Sequence, residues 1–329
     1  MRATFVLALL AFASVGIFGL NLLVGASDLS DASLTTALLT LRAMRGAVAY
    51  FAGSALAVAG VIAQGLFRNP LASLDVLGTS AGASFAGKLS LLALQASLAG
   101  GSTFGFAPEL LLPLGCLLGA LAALSVLLFI ARRSPDAVVL LLSGFLLSSL
   151  FLSLGSLVTS LSQESWELGR AVISFALGSV TGAGPSQVAI IVPIALIGTL
   201  AAWLWARPLD LLLSGDEEAS VLGLDVVRTR RWCIAWTALL TAGAVAVGGN
   251  LGFVGLVVPH GLRRWVGVAH RRLIPAAALG GGTFVLACDV VARALPSRTE
   301  VPLGVVTGLV GAPVFLWLVL RSHERVSYG

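Results

Sequence analysis

The chain has 329 residues, a length that would suit two ordinary soluble domains. Its composition excludes them: 58% of residues are hydrophobic and only 11% are charged, against roughly 45–50% and about 25% in soluble domains, too few charges to cover a surface in water. The net charge of +5 comes almost wholly from arginine, with Lys88 the single lysine. In a chain this apolar, arginine placement sets orientation in a bilayer and is no sign of nucleic-acid binding. An all-α polytopic membrane protein is predicted. Cys116, Cys233 and Cys288 lie far apart within apolar runs, which excludes a disulfide framework or a cysteine metal cluster and predicts small buried side chains.

A helix needs about 20 mostly apolar residues to cross the hydrocarbon core. The first such run, from Thr4 to Gly25, is longer than the apolar stretch of a typical signal peptide and is expected to be a retained span. Further runs at 46–67, 76–98, 110–131, 137–161, 185–206, 232–249, 251–268, 273–294 and 302–320 predict ten transmembrane helices in one membrane domain covering 1–329. The stretch 171–184 is apolar but short, and Gly178, Gly182, Gly184 and Pro185 break it. It predicts a half-helix packed against protein, because irregular backbone facing lipid would leave peptide groups unpaired. Ten spans put both termini on one side. Loops on that side hold fourteen arginines and the opposite loops five (Arg42, Arg45, Arg170, Arg293 and Arg298), which places the termini in the cytoplasm.

The connection after the sixth span is longer than a tight turn needs. It runs Arg207-Pro208-Leu209-Asp210 through Ser214-Gly215-Asp216-Glu217-Glu218-Ala219 to Leu222-Gly223-Leu224-Asp225. Ser214 and Glu217 have capping-box spacing, so a short helix is predicted to begin at Ser214 and end near Gly223. Such a helix is either a solvated connector or a docking surface for a cytoplasmic partner.

No enzyme signature stands out. There is no G-x-x-x-x-G-K-[ST] phosphate loop and no H-E-x-x-H, and His260, His270 and His323 are too scattered to suggest a metal site. Transport fits better, since transporters need small packing residues, interrupted helices and a polar lining. Ser149, Ser153, Ser156 and Ser160 recur on one face of the fifth span. That face is either a pathway lining or a small-residue seam against a neighbouring helix. Arg170 opens the broken stretch, where a cation could meet an anionic substrate or cap carbonyls. Ionisable residues within spans are few. Lys88 lies in the third span, and Asp289 pairs at i, i+4 with Arg293, predicting a local ion pair that fixes Arg293 at the surface. This shortage weakens an ion-coupled mechanism.

Several stretches resemble the FecCD-type permeases of type II ABC importers, over roughly Leu41 to Arg321. They are Leu41-Arg42-Ala43-Met44-Arg45, Gln64-Gly65-Leu66-Phe67-Arg68-Asn69-Pro70, Leu77-Gly78-Thr79-Ser80-Ala81-Gly82, Gly215-Asp216-Glu217-Glu218-Ala219 with Leu222-Gly223, Gly252-Phe253-Val254-Gly255 leading to Pro259-His260, His270-Arg271-Arg272, Asp289 to Arg293, and Glu300-Val301-Pro302-Leu303-Gly304. The resemblance implies a ten-span permease of the bacterial inner membrane that works as a homodimer and carries haem or an iron–siderophore. Vitamin B12 import is the alternative, and an ion-coupled secondary transporter a more distant one. It implies no cofactor on this chain; ATP and Mg would sit on two cytoplasmic ATPase subunits docked at about 208–226, on Ser214, Gly215, Asp216, Glu217, Glu218, Ala219, Leu222 and Gly223. A periplasmic substrate-binding protein would dock on Arg42, Arg45 and Arg293, with Arg298 a candidate by placement. The fifth span lines the path in this family, which favours Ser149, Ser153, Ser156 and Ser160, with Arg170, as the lining. Met44 stands where the family has Pro, and Ser162–Arg170 lacks a family pattern, which leaves the substrate open.

Overall fold

The computed structural model describes residues 2–24, 32–75, 77–99, 110–133, 137–295 and 300–326. The described residues form thirteen α-helices and no strand: α1 Arg2–Leu23, α2 Ala32–Leu66, α3 Thr79–Ala99, α4 Leu111–Arg133, α5 Ala137–Leu161, α6 Trp166–Leu177, α7 Pro185–Leu204, α8 Ala206–Leu212, α9 Asp216–Val221, α10 Val226–Gly248, α11 Val254–Val266, α12 His270–Ala294 and α13 Leu303–Val326.

The bundle is arranged around α2. Its apolar stretch is 83% buried, against 17% for α1 and 22% for α5 and α7, so α2 is the core and those three lie on the perimeter. The sequence explains why α2 can be enclosed. Gly53 and Gly60 lie seven residues apart and so share a face. A Cβ on Gly60 would fall on the Gly255 carbonyl of α11, and one on Gly53 on the Gly281 carbonyl of α12. Backbone thus meets backbone, the small-residue packing that membrane helices use where burial from water gives no drive. Between these glycines, Ala55, Ala57 and Ala59 are fully buried.

Seven helices among the described residues are long and apolar enough to cross a membrane, where ten runs were expected. The expected span 251–268 is reduced to the thirteen residues of α11. The apolar part of α13 is short, Leu303–Leu318, and α3 carries Lys88 in its middle. For α11 the cause is local: Phe253 is left-handed, with φ 66°, at its N-terminus. The reversal before it is held inside protein by Asn250 N–H donating to Phe175 O at 3.3 Å and by Phe253 N–H donating to Asp75 Oδ2 at 3.3 Å. The half-helix is present as α6. It begins at Trp166, earlier than the apolar run suggests, buries Leu168, Val172 and Phe175, and ends at Gly178 with φ 75°. Gly304 N–H then donates to Gly178 O at 3.1 Å, tying the turn to the start of α13. Both interrupted helices thus find internal partners for their end groups.

Gly60→Leu should lower unfolding stability in detergent by about 3 kcal/mol through overpacking against α11. Gly19→Leu, on the open face of α1 where a Cβ meets nothing, should stay within about 0.5 kcal/mol of wild type. Equal effects would contradict the backbone contact.

Candidate functional site

Two polar clusters stand at opposite ends of α2. At the end nearer its start, Arg45 projects towards α12. Its Nη2 lies 2.9 Å and its Nε 3.0 Å from Asp289 Oδ1, while Nη1 lies 2.7 Å from Glu300 Oε2, just ahead of α13. Asp289 is fully buried and shared with Arg293, whose Nε stands 3.1 Å from Oδ2. The expected i, i+4 pair is therefore there, but it does not hold Arg293 at the surface: that side chain is 5% exposed and turned inward. The reason lies at the end of α1, whose last carbonyls lack helical partners. Arg293 Nη1 donates to Val24 O at 2.6 Å, and Arg42 Nη1 donates to Leu22 O at 2.9 Å and Leu23 O at 3.2 Å. Asn21 joins the cluster through Arg293 Nη2 and the Arg42 carbonyl. Arginines at a helix C-terminus satisfy orphan carbonyls and favour its dipole. Of the three docking candidates, Arg42 and Arg293 are thus enclosed by α1, and Arg45, 13% exposed, is the nearest to solvent through Glu300, which is 46% exposed. Arg298 lies outside the described residues.

Beside this cluster is a cleft of about 570 Å³ between α6, the turn after it and the start of α13. Gln163, Trp166, Arg170, Ser174, Thr181 and Glu300 line it. Arg170, in the second turn of α6, is exposed in the cleft. Thr181 Oγ1 donates to Glu300 Oε2 at 2.9 Å, so one carboxylate oxygen holds both Arg45 and the turn. Burial alone would push the Glu300 carboxyl up, but the Arg45 hydrogen bond and charge, with the Thr181 hydroxyl, outweigh it and hold it below the usual carboxylate range.

The serine stripe faces away from the subunit core. Ser149 is half-buried, and Ser153, Ser156 and Ser160 are exposed, interleaved with exposed Leu146, Leu150 and Leu157. A seam within this chain is therefore not their role. Ser149 and Ser156 donate back to Phe145 O and Leu152 O, each at 2.9 Å, which satisfies the hydroxyls within their own helix. The other side of α5 is held by polar contacts that the stripe did not foretell. Lys88 Nζ donates to Gly155 O at 3.2 Å and Thr159 Oγ1 at 3.1 Å, and Ser148 Oγ donates to Asp75 O at 2.6 Å. Asp75 also bonds Ser80. Gly78–Gly82 happens to have G-x-S-x-G spacing, but Ser80 is 4% exposed and the segment joins two helices without a strand, so it is no nucleophile elbow. Asp75 follows Arg68-Asn69-Pro70, polar neighbours that read as an exposed loop; a charged residue inside the run 76–98 would have stood out, one just before it did not.

At the far end of α2 lies the long connection. Asp216, the first residue of α9, pairs with Arg68 Nη2 from the end of α2 and with Arg230 Nη2 of α10 at 2.7 Å. Arg68 has φ 49°, and its Nε donates to Leu212 O, at the end of α8, at 2.7 Å. Asp210 of α8 accepts the His270 backbone N–H at 3.0 Å and faces its Nδ1 at 2.6 Å, joining α8 to α12. Burial would raise the Asp210 carboxyl, but the two bonds from His270 and its charge outweigh that and hold it low. Ser214 is not the cap of α9. Its Oγ donates back to Leu211 O at 2.8 Å, closing α8, and Gly215 with φ 121° takes the cap position. Asp216, Glu217 and Glu218 fill the first turn of α9, where acidic groups suit the dipole. Gly223, with φ 85°, follows its end, and Leu224 N–H donates to Ala219 O at 3.0 Å. Ala219 is buried beneath the helix, while Glu217, Glu218, Val221 and Leu222 are exposed on it. This six-residue helix thus exposes both acids and apolar groups and is clamped from below by two arginines.

Asp289→Asn should cost about 3 kcal/mol or more in detergent unfolding, because it strands two buried arginine charges. Asp216→Asn, at a pair about two-fifths exposed, should cost about 1 kcal/mol or less. The reverse order would contradict the burial of the Asp289 cluster.

Comparison with known proteins agrees with this architecture. The model of the FecCD transport family matches residues 3–321. The cobalamin import system permease protein of Halobacterium salinarum is 37% identical over 288 residues, covering 87% of this chain and 73% of that protein. The hemin transport system permease protein of Yersinia pestis is 37% identical, covering 88% of this chain and 84% of its own. The Fe(3+) dicitrate transport system permease protein of Escherichia coli is 38% identical, covering 87% and 86%. A solved ABC transporter described as of the metal-chelate type, in an inward-facing conformation, has a TM-score of 0.82 and 28% identity, covering 97% of this chain and 99% of that one. The chain belongs to the FecCD transport family.

Proposed function

We propose that this chain is the permease subunit of an ATP-driven importer that carries a metal chelate from the periplasm to the cytoplasm, haem or an iron–siderophore being favoured. The observation that carries the reading is the pairing of a polar cleft beside the Arg45 cluster with a clamped contact helix at the other end of α2. It is supported by relatives named for the import of cobalamin, hemin and ferric dicitrate. In this reading the subunit crosses the inner membrane ten times, with α3, α11 and α13 completing the seven long apolar helices, and both termini are cytoplasmic. Two copies form the pathway, with Ser149, Ser153, Ser156 and Ser160 facing it. With the Ser149 and Ser156 hydroxyls bonded within their own helix, the stripe makes a wet but weakly binding lining, so cargo is not trapped.

The cleft would be the entrance from the periplasm. Arg170 supplies a cation there, and Gln163 and Ser174 supply neutral polar groups, which suits an anionic chelate such as a haem propionate or a ferric carboxylate complex. A binding protein would deliver it by presenting carboxylates at the Arg45 edge. At the cytoplasmic end two ATPase subunits would hold α9 through Glu217, Glu218 and Leu222. ATP and Mg act on those partners, and this chain binds neither. The chain's own part is to convert movement of α9 into movement of the bundle: Asp216 pulls on Arg68, just past the end of α2, and on Arg230 of α10, and Asp210 pulls on His270 of α12. Nucleotide energy is needed because a ligand alone shifts two states only by its differential affinity for them.

The test is uptake into proteoliposomes containing this chain with its cognate ATPase and binding protein, offered haem, a ferric siderophore and cobalamin separately. Uptake of an iron compound that requires both ATP and the binding protein is expected. Uptake of cobalamin alone would move the substrate to the alternative. Uptake that persists without ATP and collapses with an uncoupler would overturn the importer reading in favour of an ion-coupled carrier.

A further inference from the structure

Glu300 occupies a position that the docking reading leaves unexplained. Three arginines, Arg42, Arg45 and Arg293, gather at this end with two acids, Asp289 and Glu300. Asp289 is fully buried between Arg45 and Arg293, and removing it would strand both charges. Glu300 differs. It is 46% exposed, reaches Arg45 from the solvent side at 2.7 Å, and lines the cleft. It therefore stands, among the described residues, between the cleft and Arg45, where a carboxylate arriving through the cleft would have to displace it. Through the same oxygen it accepts the Thr181 hydroxyl at 2.9 Å, and Thr181 belongs to the turn between α6 and α7 that borders the cleft.

We propose that Glu300 is an exchangeable occupant of Arg45: a carboxylate of the docking binding protein takes Arg45 in its place, Glu300 leaves, and the Thr181 turn is released so that the cleft widens beside the bound partner. The inference rests on the reading that the binding protein docks at Arg45. The exchange replaces one partly exposed Arg–carboxylate pair by another, and such pairs differ little in free energy, so docking meets no large barrier there. The cluster beneath keeps Asp289 throughout, so α1, α2 and α12 stay joined while the turn moves. When Glu300 leaves, the Gly304–Gly178 bond at 3.1 Å still ties the turn and the Asn250–Phe175 bond at 3.3 Å still ties the end of α6, so α6 pivots rather than unfolds. Glu300 is then a positioning residue, one that acts on the cleft through Thr181 and on docking through Arg45.

The roles of glue and of competitor make opposite predictions for Glu300→Gln, which removes the charge and keeps the shape. The experiment uses the permease–ATPase complex in nanodiscs, with its cognate substrate-binding protein as the probe. It reads two quantities: the Kd for that protein, and the rate at which a maleimide labels a cysteine placed at Ser174 in the cleft. Cys116, Cys233 and Cys288 are buried and give little background. Glu300→Gln should tighten binding about threefold to fivefold, the worth of one partly exposed ion pair, and speed labelling. Thr181→Val should speed labelling with Kd unchanged, and Arg45→Ala should abolish binding. Weaker or unchanged binding in Glu300→Gln, with Arg45→Ala still abolishing it, would overturn the exchange alone. Unchanged labelling in both Glu300→Gln and Thr181→Val would overturn the hold on the turn. Normal binding in Arg45→Ala would overturn docking at this residue, and the exchange with it.

Discussion

Enclosing α2 on nearly all sides is the constraint from which the other features follow. A helix of 35 residues is roughly 52 Å long, longer than a bilayer's hydrocarbon core, and it can be surrounded only where its neighbours approach to backbone contact. Gly53 and Gly60 permit that approach to α12 and α11. Because lipid gives no hydrophobic drive between helices, packing at these glycines and polar contacts at the two ends must hold the bundle. Both ends are accordingly polar. Arg45 binds α12 and the start of α13 at one end, and Arg68 binds α8 and α9 at the other.

The two ends differ in a way that suits separate tasks. At the Arg45 end the central acid is fully buried and the arginines cap the carbonyls of α1, a stiff joint. At the Arg68 end the ion pairs are partly exposed and centre on the first residue of a six-residue helix, a joint that can transmit displacement without storing much energy. In the proposed importer the first end receives cargo and partner and the second receives work from ATP. The interrupted helices α6, beside the Arg45 end, and α11 each have end groups satisfied by protein, so backbone can break there without exposure to lipid.

The apolar runs, the half-helix before Pro185, the short helix after the sixth span and the Asp289–Arg293 pair were all legible from local pattern, since each depends on neighbours within a few turns. What escaped depends on distance in sequence or on backbone conformation. Arg45 meets Asp289 across 244 residues, and no spacing rule links them. Nothing in the run from Leu251 announces that Phe253 is left-handed, so a whole span was expected where a thirteen-residue helix begins inside the protein. Ser214 has the spacing of a cap, but the end of α8 competes for its hydroxyl and wins. Arg42 and Arg293 read as outward cations, because the unsatisfied carbonyls of α1 that draw them inward are invisible in their own segments.

In the proposed importer, movement of α9 enters the bundle through Asp216 and Arg68. Reconstituted complexes carrying Arg68→Ala, assayed side by side for ATP hydrolysis and chelate uptake, test it most directly. The account predicts that hydrolysis continues while uptake per ATP falls by about tenfold, a loss of the size seen when a coupling contact is removed. Uptake per ATP equal to that of wild type would contradict it.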